Sequence, residues 1–139
     1  MEDIERILVA VDGSAQSNKA VRLAARIAKC LRAELTLIHV IELNEVPSLM
    51  AEAEDKGREA LGQAALSDGV EIALGLEVHP QTVLRRGQPA GQILRYAAEY
   101  RPQMIFTGTR GRGGATAMLM GSVSRKVSEG SKVPVTIVR

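Results

Sequence analysis

Two hydrophobic signatures take turns along this chain. Short unbroken apolar runs stand at Ile7 to Val11 (ILVAV), Leu35 to Ile41 (LTLIHVI) and Val133 to Val138 (VPVTIV). Runs of this kind, closed by polar or turn residues, predict strands buried on both faces. Between them, apolar residues return at helical spacing. Ala20, Ala24, Ile27, Ala28 and Leu31 predict a first helix, with Ser14 or Ser17 as its N-cap. Ala90, Ile93, Leu94 and Ala97 predict another, opened by Gly87-Gln88-Pro89 and closed by Pro102. Gln103 to Thr107 (QMIFT) reads as a strand. Val123 and Val127 then mark a short helix over Ser122 to Glu129, with Gly130 as its expected left-handed stop.

The middle of the chain is less regular. Glu42 to Ser67 is polar and acidic, a loop followed from Ser48 by a surface helix that Gly57 and Gly62 weaken. Gly69, Gly75 and Pro80 punctuate the next stretch, where a strand is expected over Leu76 to Arg85. Strands and helices therefore alternate from end to end. That pattern predicts a single-domain α/β fold: a doubly wound, five-stranded parallel sheet with helices on both faces, Rossmann-like in kind. Sheets of this class bind ligands beyond the C-terminal ends of their strands. Asp12, Val40 and Gly108 close three strands and are expected to share that rim.

Composition narrows the function. At 139 residues, with 45% hydrophobic and 24% charged positions, the chain suits one globular domain. Aromatic residues are only 2%, so the core must be aliphatic, and platforms for stacking bases are lacking. With a net charge of only +2, this argues against a nucleic-acid partner. Charge is uneven, however. Residues 101–139 hold seven Lys/Arg against Glu129 alone, a net of +6, whereas residues 42–59 sum to −4. Two solvated faces would account for this, and so would an anion site at the basic end. Cys30 is the single cysteine, which suits a reducing compartment, and its helical setting predicts a packed thiol. The opening MEDIERILVAVD carries acids where a signal peptide has basic residues. No stretch approaches the ~20 apolar residues of a membrane span. A cytoplasmic location without membrane association is expected.

The chemistry concentrates near the C-terminus. Gly108-Thr109-Arg110-Gly111 is followed, after nine residues, by Gly121-Ser122-Val123-Ser124 at the start of the last helix. Glycines admit a bulky anion close to the backbone, and a helix start offers free N–H groups and the positive end of a dipole. Ser122 and Ser124 are expected to add hydroxyl donors, and Arg110 and Arg112 to add charge. Together these describe a phosphate cradle. A flexible loop followed by a serine-capped helix has the same composition. The P-loop pattern G-x-x-x-x-G-K-[ST] is absent, and the first turn reads Asp12-Gly13-Ser14-Ala15 rather than a dinucleotide fingerprint. Asp12 can be read as a turn residue or as a carboxylate beside a nucleotide's Mg²⁺. No Glu, Gln or His lies between Gly108 and Ser124 to position an attacking water. His39 is expected to be a hydrogen-bonded structural residue, and the sequence offers no catalytic residue and no metal cluster.

The order of elements, the opening ILVAVDGS, the closing VPVTIV and the spacing G-x2-G-x9-G-S together resemble the universal stress protein family, specifically its ATP-binding branch. The resemblance covers essentially the whole chain. It implies that phosphates rest on Gly108, Gly111, Gly121, Ser122, Val123 and Ser124, with Arg112 in the same loop. It implies that Asp12, beyond Ala10 at the end of the first strand, meets the ribose, and that the Val40 backbone meets adenine. Two departures stand out: Pro102-Gln103 where an acid usually opens the fourth strand, and the flexible run Arg112-Gly113-Gly114. The resemblance further implies a homodimer paired through Val133 to Val138, where Pro134 fits an edge strand. The function it implies is an ATP-binding stress-response module, nucleotide-dependent and dimeric, acting on an unidentified protein partner. Slow ATP hydrolysis on the same fold, or a nucleotide-free dimeric scaffold, are the alternatives.

Overall fold

The computed structural model describes residues 3–43, 49–109 and 120–139. Its elements alternate strictly: β1 (Arg6–Ala10), α1 (Ala15–Leu31), β2 (Glu34–Glu42), α2 (Ala51–Gly75), β3 (Gln81–Gly87), α3 (Pro89–Tyr100), β4 (Met104–Gly108), α4 (Ser122–Gly130) and β5 (Val135–Val138). The strands form one sheet in the order β3-β2-β1-β4-β5, with every pairing parallel. The chain winds outward from β1 to β3, then crosses back to β4 and continues to β5. That reversal leaves a crevice at the C-terminal ends of β1 and β4.

The sheet separates two apolar layers. Ile7 and Val9 of β1, with Leu35 and Leu37 of β2, pack against Ala20, Val21 and Ala24 of α1 and Leu66 of α2. Leu8, Ile38 and Ile105 point the other way, against Ala90 and Ile93 of α3 and Val127 of α4. Because helices cover both faces, Ile7, Leu8 and Val9 are all fully buried, which is why β1 reads as an unbroken apolar run. Each such side chain contributes about 1.5–3 kcal/mol on burial.

Several expected boundaries move, for identifiable reasons. α2 continues through Gly69 to Gly75, and β3 is displaced to Gln81–Gly87 from the expected Leu76 to Arg85. Gly62 and Gly69 are not helix breaks but points of close approach. A Cβ at Gly69 would lie 2.7 Å from Leu37 Cδ1, and one at Gly62 would lie 2.6 Å from His39 Cδ2. Gly57 faces open space. Gly130 belongs to α4, and the cap that follows, Ser131, is extended rather than left-handed. A side chain at position 130 would meet Leu94 Cδ1 at 2.6 Å, so helix packing accounts for the glycine. β5 begins at Val135 rather than Val133, because Ser131 Oγ grips the Val133 N–H and carbonyl in a tight turn and Pro134 has no N–H to donate. Leu31 and Cys30 are exposed rather than packed. Gln103 serves outside its strand: its Oε1 accepts the N–H groups of Glu5 and Arg6, both at 2.8 Å, and ties the start of β1 to that of β4. No helix among the described residues is long and apolar enough to cross a membrane.

Candidate functional site

Where β1 ends, a tight turn aims Asp12 at the rim. Gly13 takes φ 82°, the left-handed conformation that favours glycine. Asp12 Oδ1 accepts the Ser14 N–H at 2.9 Å, and the Asp12 N–H donates to Ser17 Oγ at 3.1 Å. Ser14, the N-cap of α1, accepts the Ser17 N–H at 3.1 Å. Asp12 is thus a turn residue, and the turn fixes where its carboxylate stands.

Beyond this turn opens a cavity of about 490 Å³, a volume that suits a small-molecule ligand. Ala10, Asp12, Val40, Gly108, Gly121, Ser122, Val123 and Ser124 all line it, so four separate elements converge as the topology predicts. Gly111 and Arg112, with Arg110, lie outside the described residues. Sequence reasoning missed Ser17, Glu42, Pro89 and Ile93, which also line the cavity. A signal for two of them existed: α3 follows the C-terminal end of β3, so its Pro89 start had to open onto the same rim.

One end of the cavity is formed by the start of α4. Its N-cap is Gly121, in extended conformation, and among the described residues no side chain caps the helix. By contrast, Ser14 caps α1, and Gln88 Oε1 accepts the Gly91 N–H at 2.5 Å to cap α3. The amides of Ser122, Val123 and Ser124 occupy the first helical positions, where an α-helix supplies no internal acceptor. The loop that leads to them is cinched at its neck. Gly121 N–H donates to the Thr109 carbonyl at 2.5 Å, and Thr109 N–H donates to the Val138 carbonyl at 2.8 Å.

Two residues play roles other than those expected from the motif. The Ser124 hydroxyl is buried, 3.0 Å from the carbonyl oxygens of both Thr109 and Gly121. It closes the neck of the loop and is not a donor held out to a ligand. Gly108 is a glycine because α1 crowds it. A Cβ there would fall 2.9 Å from Gln16 Cβ and 3.0 Å from the Ser17 nitrogen.

The opposite end is built on β2. The β1–β2 register stops at Ala10 opposite Ile38, whereas the β2–β3 register runs on to Glu42 opposite Gly87. Even-numbered residues of β2 turn their peptide groups toward β1: Glu34 N–H donates to Glu5 O, and Ile38 O accepts from Val11 N–H, both at 2.8 Å. By the same parity the N–H and carbonyl of Val40 face the side that β1 has vacated. The Val40 side chain packs with Ile38, Ala90 and Ile93, making an apolar wall. His39 turns to the other face, where its Nδ1–H donates to the Val11 carbonyl at 2.7 Å and its ring lies against Gly62. It is the structural histidine the sequence suggested. The ionisable residues on the described lining are Asp12, His39 and Glu42, of which His39 turns its ring away. Among the described residues no group of three or more His, Cys, Asp or Glu side chains could hold a metal ion.

A rim cavity with a bare helix start at one end and an unpaired strand edge at the other invites comparison with known proteins. The family model described as "Universal stress protein family" matches residues 3–139. The universal stress protein YxiE of Bacillus subtilis is 36% identical over 145 residues, spanning 96% of this chain and 98% of its own. Among solved structures, universal stress protein UspA from Lactobacillus plantarum superposes with a TM-score of 0.89 at 21% identity, covering 100% of both chains. A universal stress protein from Archaeoglobus fulgidus in complex with dAMP gives 0.74 at 23% identity, covering 99% of this chain and 100% of that one. A family member from Arabidopsis thaliana with AMP bound gives 0.71 at 19%, covering 96% and 90%. The structural likenesses establish a shared fold, and the sequence matches establish kinship: the chain belongs to the universal stress protein family.

Proposed function

We propose that this protein is an ATP-binding regulatory module, responding to stress through nucleotide occupancy rather than through efficient catalysis. The observation that carries the reading is the start of α4. A helix with a glycine N-cap, and no capping side chain among the described residues, opens onto a cavity that Asp12 and Val40 also line. Oriented amides and a helix dipole favour phosphate there without help from a lysine. Gly121, Ser122, Val123 and the backbone of Ser124 receive the phosphates, and Gly111 and Arg112 of the connecting loop complete the cradle. Asp12 meets the ribose beside Ala10. The Val40 N–H and carbonyl present a donor and an acceptor side by side. They match the N1 acceptor and N6 donor of adenine, whereas guanine offers the reverse order at those positions. Relatives solved with dAMP and AMP bind nucleotides of the same base.

Asp12 is one carboxylate whose Oδ1 already accepts the Ser14 N–H. A Mg²⁺ ion would therefore be held mainly by the phosphates and water, with the second Asp12 oxygen available to it. Pairing of two copies through the edge strand β5, in the segment Val133 to Val138, would place two such sites in one cytoplasmic dimer that signals to a protein partner. β5 pairs with β4 alone and its four residues are half-buried, which leaves one edge for a second strand.

The test is Gly121→Val, read by calorimetric titration with ATP. Gly121 has φ −65° and ψ 158°, a backbone conformation open to valine, and the added branches are expected to obstruct the phosphates. The expected result is loss of ATP binding with an unchanged unfolding midpoint in the absence of nucleotide. Equal affinity in the two proteins would sink the assignment.

A further inference from the structure

We infer that Glu42 is a specificity residue for the adenine base, accepting the amine hydrogen that Val40 leaves unbound; this rests on the reading of the cavity as an adenine-nucleotide site. The inference follows from strand direction and parity. Within one residue of a strand the carbonyl lies C-terminal to the N–H. A base whose N1 meets the Val40 N–H and whose N6 amine meets the Val40 carbonyl therefore points that amine toward Glu42. One amine hydrogen is taken by the carbonyl, and the other is directed along the strand.

Glu42 is two residues further on, and side chains two apart share a face of the sheet. Ile38 and Val40 show which face this is, because both pack with Ala90 and Ile93 of α3. Glu42 lines the cavity there together with Pro89. Its register partner on β3 is Gly87, beside which the Gln92 side chain lies.

The two arginines on the neighbouring strand β3 are each paired with other carboxylates. Arg85, the register partner of Val40, bonds Glu99 at 3.0 Å and lies 5.3 Å from the centre of the Tyr96 ring. Arg86 turns to α2, where it bonds Asp55 at 2.6 and 2.9 Å and Glu59 at 2.8 Å. Among the described residues Glu42 has no salt bridge. Its charge has a second consequence for orientation. β2 stands two strand spacings, about 10 Å, from β4 and the α4 start beside it. A negative group at the base end opposes any pose that puts phosphates there.

The test compares ATP with N6-methyl-ATP, which keeps one amine hydrogen; holding it against Val40 turns the methyl group to the place of the second hydrogen, a rotation that costs the same in every variant. Affinities are measured by calorimetry for the wild type, Glu42→Ala and Glu42→Gln, with unfolding midpoints recorded without ligand. One hydrogen bond to an exposed carboxylate predicts that the wild type favours ATP severalfold. Glu42→Ala should show a smaller preference for ATP than the wild type, and Glu42→Gln, which keeps a neutral acceptor, an intermediate one. Equal wild-type affinity for the two ligands, or an undiminished preference in Glu42→Ala, overturns the role of Glu42 while leaving the ATP site intact. Failure of the wild type to bind either nucleotide overturns the site and this inference together.

Discussion

Replacing Gly108 by alanine separates two explanations of the first glycine in the G-x2-G-x9-G-S pattern. If the glycine served only a ligand, its loss would be felt only when the ligand is bound. The structure gives it a different task. An added Cβ would lie 2.9 Å from Gln16 Cβ and 3.0 Å from both the Gln16 carbonyl carbon and the Ser17 nitrogen. Two of these atoms are backbone, so no side-chain rotation relieves the overlap and the start of α1 must move. Overpacking of this kind costs about 1–3 kcal/mol. In a domain of this size each kcal/mol lowers the melting midpoint by about 3–4 °C, so a cost of ~2 kcal/mol predicts a drop of roughly 7 °C. Circular dichroism melts of nucleotide-free wild type and Gly108→Ala provide the assay. ATP affinity should fall as well, because the Asp12–Ser14–Ser17 turn is built on the displaced helix start. An unchanged melting midpoint would refute the packing explanation and return Gly108 to the ligand.

The helix glycines make a paired prediction. Gly57→Ala in α2 points into open space and should stabilise the protein by about 0.5–1 kcal/mol through helix propensity alone, seen as a higher midpoint in urea. Gly62→Ala gains the same propensity but drives a Cβ to 2.6 Å from the His39 ring, which its bond to Val11 holds in place. Its midpoint should fall below that of the wild type. A third prediction concerns alkaline pH. Burial raises the Tyr100 phenol above its ordinary value, with the Thr36 hydroxyl pulling the other way. A raised folded value means that the stabilisation is complete below the unfolded value of about 10 and is lost as pH rises through the folded one. Unfolding midpoints should therefore fall more steeply above pH ~10 in the wild type than in Tyr100→Phe. Matching slopes for the two proteins would contradict it.

How far the sequence spoke depends on which physical signal each feature carried. β1 and β2 were legible because burial on both faces leaves an unbroken apolar run. The Gly87-Gln88-Pro89 start of α3 was legible because a fixed φ and a lost donor mean the same thing in every chain. Gly62, Gly69 and Gly130 misled, since glycine signals either a break or a close approach, and only the neighbours His39, Leu37 and Leu94 decide between them. Those neighbours are remote in sequence. At the candidate site, alternation and strand ends were enough to bring Asp12, Val40 and Gly108 to one rim. The Ser124 hydroxyl was misread because its partner, the Thr109 carbonyl, lies across a loop. Gln103 stood out as a departure from the family pattern, but its clamp on Glu5 and Arg6 reaches across 98 and 97 residues of sequence and has no local signature.

The central claim is that backbone amides at the start of α4 receive the phosphates of an adenine nucleotide. Titrating ATP into nitrogen-15-labelled protein, and following each amide resonance, tests it most directly. The account predicts that Ser122, Val123 and Ser124 shift furthest, with Val40 moving at the same ligand concentration. Saturation with ATP that leaves those four amides in place would contradict it.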